Sequence, residues 1–122
     1  MALDIFYNAI KMDIAMIKGD TMSFGFQMQG LDGSAPSSII FSCKEDPEDD
    51  DAVFSSSLED GGIWLDSEDQ ETDLQEYGVR IAPSKTENLN TGRYYYDLQV
   101  SVNDDVYTLM KGRLQIEYDV TR

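Results

Sequence analysis

Along most of this chain apolar and polar residues alternate with a period of two, the pattern of strands that bury one face and expose the other. "MSFGFQMQ" places Met22, Phe24, Phe26 and Met28 on one side and Ser23, Gly25, Gln27 and Gln29 on the other. Met12, Ile14 and Met16 alternate in the same way upstream, before "KGD" at Lys18 to Asp20. "LDGSAP", Leu31 to Pro36, is turn chemistry, because Asp-Gly adopts positive φ at little cost. "SIIFSC" predicts the next strand. "EDPEDDD" then breaks regularity, since proline lacks a donor and crowded carboxylates repel one another.

"AVFSSSL" and "GGIWLD" predict short strands on either side of "EDGG", "SEDQETDLQ" an acidic loop, and "EYGVRIA" a strand through Tyr77, Val79 and Ile81. "PSKTENLNTG" predicts one helical turn, entered at Pro83 and left at Gly92. A long strand follows in which Tyr94, Tyr96, Leu98, Val100 and Val102 share a face; "NDD" predicts a hairpin turn, and "VYTLMKGRLQIEY" the return strand. In that last strand the apolar parity switches from Tyr107 and Leu109 to Leu114, Ile116 and Tyr118. A one-residue bulge at Lys111-Gly112 would reconcile the halves, because one extra residue exchanges the faces. Seven to eight short strands without an amphipathic helix predict an all-β fold, an antiparallel β-sandwich, with residues 1–122 as a single domain and 45–73 as acidic loops and short strands within it.

This frame gives the cluster "GRYYYDLQV" a structural reading. In Greek-key sandwiches a tyrosine near the start of the penultimate strand closes the corner before it, its ring in the core and its hydroxyl on an upstream backbone group. The corner here spans Leu89 to Gly92, Tyr94 closes it, Tyr96 joins the core, and Tyr95 projects from the opposite face.

Charge changes the picture in one region. The chain has 9 basic and 24 acidic residues, a formal net charge of −15. Of the acids, 13 lie between Glu45 and Asp73, where there is no Lys or Arg. Such a balance opposes nucleic-acid binding, which needs cations against phosphate. The acidic stretch lacks the ligand spacing of a calcium loop and reads as solvated charge, so no metal or other cofactor is expected. No apolar run is long enough to span a bilayer, no basic-then-apolar leader opens the sequence, and the single cysteine, Cys43, fits a reducing compartment. Synthesis in a cytoplasm is the expectation, with no membrane partner.

Catalytic signatures are lacking. The chain has no histidine, which removes His-based triads and general bases. Its glycines match neither phosphate-cradling nor dinucleotide motifs, and Cys43 sits in an apolar strand as an inert thiol. No catalytic residue is assigned and the expectation is a non-enzyme. Trp64 in "GGIWLD" is a candidate exposed aromatic, as is Tyr95, and together they frame an alternative reading as a carbohydrate- or surface-binding module.

Several pieces together resemble small phage structural proteins with an immunoglobulin-like sandwich, in particular the N-terminal domain of the upper baseplate protein of phages of Gram-positive bacteria and related tail-cluster proteins. The resemblance lies in "IKGDTMSFGFQMQGLDG", "LNTGRYYYDLQV" and "VYTLMKGRLQIEYDVTR". It implies a non-enzymatic virion protein, of baseplate or tail, that docks into a symmetric assembly, as a homo-oligomer or on a ring, with other virion structural proteins as partners. The last strand, with its apolar set and few blocking residues, is the expected docking edge, through Arg113, Gln115, Glu117 and Arg122.

Overall fold

The computed structural model describes residues 10–31 and 34–120. They form nine strands: β1 (Ile10–Lys11), β2 (Ile14–Ile17), β3 (Met22–Gln29), β4 (Ser38–Lys44), β5 (Phe54–Ser57), β6 (Ile63–Asp69), β7 (Leu74–Ile81), β8 (Gly92–Val102) and β9 (Asp105–Glu117). One sheet runs β1-β9-β8-β4-β5, with β2 also on β9; the other runs β3-β7-β6. The sheets pack as an all-β, immunoglobulin-like sandwich whose core holds Met28, Ile39, Phe41, Val79, Leu98, Leu114 and Ile116, each buried. The first is the large sheet and the second the small sheet.

The period-two pattern is realised strand by strand. Met28 is buried, Met22, Phe24 and Phe26 pack against the core, and Ser23, Gly25, Gln27 and Gln29 are exposed. In β8 the buried set is Tyr94, Tyr96, Leu98, Val100 and Val102. Pro83–Lys85 form a single 3-10 turn, where the sequence places its one helical segment. Asn103 and Asp104, with φ of 51° and 70°, turn β8 into β9. Two positive-φ residues give a hairpin loop the twist of its strands. The Asp32-Gly33 part of the expected turn lies outside the described residues.

Three expectations are corrected. First, "SEDQETDLQ" is not all loop: β6 continues through Ser67 to Asp69, and the turn begins after it. β6 hydrogen-bonds β7 on one side, and backbone pairing holds residues straight although every side chain from Trp64 on is exposed.

Second, the parity switch in β9 occurs at Leu109. Leu98 pairs with Met110 and Gln99 with Thr108, so Leu109 is the extra residue, short of Lys111-Gly112. Gly112 answers another demand: a Cβ there would overlap the carbonyl oxygen of Met12.

Third, the last strand is not a free edge. β1 and β2 run parallel to β9 along the side away from β8, with Ile10 opposite Met110 and Ile14 to Ile17 opposite Leu114 to Glu117. From Met110 to Glu117 the outer side of β9 is thus engaged within the chain by β1 and β2. Arg113, Gln115 and Glu117 are exposed on the solvent face of the sheet, and Arg122 lies outside the described residues. No helix among the described residues is long and apolar enough to cross a membrane.

Candidate functional site

The corner forms around Tyr94, whose hydroxyl donates to the Asn90 carbonyl at 2.7 Å while its ring is buried. Leu89 packs against the core and its N–H bonds Thr86, and Gly92 leaves the corner at φ 144°, a conformation that favours glycine. Thr86, fully buried, accepts from the Gly19 N–H and ties the β2–β3 turn to the same corner. These are packing roles.

Tyr96 belongs to a second junction. Its ring stacks on Phe41, centroids 5.1 Å apart, and its hydroxyl donates to the Met12 carbonyl between β1 and β2. The Arg113 N–H donates to Asp13 Oδ1 and the Met12 N–H to the Lys111 carbonyl. Burial and then the nearby Asp13 charge push the Tyr96 hydroxyl up to about 12. Burial likewise raises the Cys43 thiol to about 12, leaving it without the thiolate that nucleophilic or ligating cysteines need.

On the solvent face of the large sheet, register brings together cations far apart in sequence. Tyr95 lies between Lys44 on β4 and Arg113 on β9, and in the neighbouring row Ser42, Asp97, Lys111 and Lys11 follow one another. With Asp13 and Pro47 as walls, these rows line a concave site of about 720 Å³. Lys11, Lys44, Lys111 and Arg113 are four of the chain's nine cations. Burial raises the Asp97 carboxyl, and Lys44 and Lys111 pull it back down. Sequence reading placed Arg113 and Tyr95 here separately, one as an edge and one as an exposed ring. It missed Lys11, Lys44 and Lys111 because strand pairing, not sequence proximity, assembles them.

A depression of about 850 Å³ opens between β1–β2 and β3, walled by Phe24, Phe26, Leu98 and Met110. At its lip Ile10 is 58% and Met12 51% exposed.

Trp64 stands on the outer face of the small sheet, opposite Gly78, which pairs in turn with Gly25. The indole covers Gly78 so closely that a Cβ there would overlap it, while the rest of the ring is open to solvent. In the acidic stretch, carboxylates cap local backbone: Asp60 Oδ1 accepts from the N–H groups of Ser57 and Gly62, Asp46 from Glu48, and Asp69 from Glu71. Although burial opposes it, these bonds to Asp60 and the charge of Lys85 hold its carboxyl below the usual range. Among the described residues no group of three or more His, Cys, Asp and Glu is arranged to hold a metal.

No family model and no curated protein matches the sequence. Among solved structures, the chain is similar to part of a family 123 glycoside hydrolase from Clostridium perfringens, with 13% identity and a TM-score of 0.53. The match covers 94% of this chain and 24% of that one, so the chain spans about a quarter of the enzyme's length. At that identity the likeness is one of fold, a β-sandwich unit shared between otherwise different proteins.

Proposed function

We propose that the chain is a non-enzymatic structural protein of a phage or prophage virion, of tail or baseplate, acting through protein–protein contacts in a larger assembly. The observation that carries this reading is the open apolar side of the sandwich. A large sheet faces a three-stranded one, and among the described residues Ile10 and Met12 stand exposed at the lip of a depression walled by aromatic and aliphatic side chains. Contiguous apolar surface of this kind marks contact sites on proteins, and a neighbouring virion protein would bury it. The test is Ile10→Lys with Met12→Lys, assayed by co-sedimentation with the products of neighbouring genes. Assembly should be lost while the melting temperature changes little, and assembly left intact would overturn the reading.

A second reading, a carbohydrate- or surface-binding module, is supported by Trp64. Its ring is backed by the Gly78 backbone and 41% exposed, which suits stacking against a flat apolar surface. Saturable quenching of its fluorescence by a glycan would support this reading.

A further inference from the structure

The concave site on the large sheet is more cationic than its fold requires. Lys11 and Lys111 are register partners across the parallel β1–β9 pair, which sets two like charges side by side. Tyr95 is bracketed by Lys44 and Arg113 in one row across three strands. Four cations and two carboxylates, Asp13 and Asp97, line the site in a chain whose formal net charge is −15. Positive charge has been gathered on one small concave surface of a strongly negative molecule, where it will hold anions.

The remaining groups narrow the ligand. Ser42, Gln99 and Asp97 line the same site and offer hydroxyl, amide and carboxylate partners for neutral donors and acceptors. The half-buried Tyr95 offers a ring. The side-chain carboxylates of an acidic peptide would meet the cations and offer no hydrogen-bond donor to Asp97. A sugar that carries a carboxylate meets both needs, since its charge faces the lysines while its hydroxyls donate to Asp97 and its ring lies on Tyr95. The geometry points to an acidic-glycan site on the outer face of the large sheet, with Lys44, Lys111 and Arg113 holding carboxylates and Tyr95 as the stacking platform. This deepens the second reading, naming a ligand class and a place away from Trp64.

The test is calorimetric titration of the full chain with trigalacturonate, with neutral galactotriose and hexaglutamate as controls. Trigalacturonate should bind, more weakly as salt rises. Lys44→Gln and Lys111→Gln should each weaken it about tenfold, the loss of one charge-assisted hydrogen bond. Tyr95→Ala should weaken it about fivefold, with all melting temperatures near that of the parent. Hexaglutamate binding as tightly would overturn the inference in favour of an acidic protein partner. Trigalacturonate or galactotriose binding that is lost in Trp64→Ala and kept in Lys111→Gln would overturn the site and preserve the second reading. Absence of trigalacturonate binding would overturn the inference, and the second reading would then rest on Trp64 alone.

Discussion

Two glycines, one in each sheet, receive a neighbour in the space where another residue would carry its side chain. Gly112 on β9 receives the Met12 carbonyl, and Gly78 on β7 receives the indole of Trp64. The intruder at Gly112 is backbone, held by the Tyr96 hydroxyl and flanked by the bonds of Met12 and Asp13 to β9. It cannot move without detaching β1 and β2. The intruder at Gly78 is the end of an exposed side chain that can swing into solvent. The same absent Cβ thus secures strand order in one sheet and seats a movable ring in the other, and the two sites should answer mutation differently.

The largest effects are expected at the immobile junction. Tyr96→Ala should cost about 3–5 kcal/mol, as aromatic-to-alanine core truncations do, because it removes both the stack on Phe41 and the clasp on Met12. Tyr94→Ala should cost a similar amount, about 3 kcal/mol or more. Denaturant midpoints measure both, and a loss below half of that at Tyr96 would show β1 and β2 to be loosely attached.

Gly112→Ala comes next, at about 1–3 kcal/mol, the range for overpacking a site that cannot relax. Gly78→Ala should cost about 1 kcal/mol or less and shift Trp64 emission to longer wavelength as the ring swings out. Equal costs at the two glycines would break the comparison.

Alkaline pH probes the same junction. Cys43 and Tyr96 ionise near 9 and 10 in the unfolded chain and at about 12 in the folded one. Both are neutral when protonated, so their contribution is complete below pH 9 and lost as pH rises from about 9 to 12, because the unfolded state releases its protons first. Tyr96→Phe should shallow that decline and cost about 1 kcal/mol at neutral pH, the worth of one hydrogen bond. Thermal melts across the range check the sign. Smallest of all, Tyr95→Ala should stay within about 0.5 kcal/mol, since its ring stands on the solvent face between Lys44 and Arg113.

Legibility in the sequence followed the range of the interaction. Tyr94 could be assigned to the corner because its partner, Asn90, is four residues away and the alternation through Val102 showed which side of β8 faces inward. Parity in β9 revealed that a bulge exists but not that Leu109 is the extra residue, because either half of the strand can absorb it until β8 sets the register. The last strand was misread as an edge for a related reason. Parallel pairing of β1 and β2 with β9 joins segments about 100 residues apart, with no turn between them to betray the match.

Taken alone, the sequence determined the all-β class, the inward faces of β3, β7 and β8, the corner tyrosine and the localisation of negative charge in residues 45–73. Each of these depends on side-chain identity at a period of two or on near neighbours. Tertiary structure alone decided which strands are edges, why residue 112 has no side chain, and that Lys11, Lys44, Lys111 and Arg113 line one concave site. Those outcomes depend on register between distant strands, and register follows from the burial of whole faces at once rather than from any short stretch of chain.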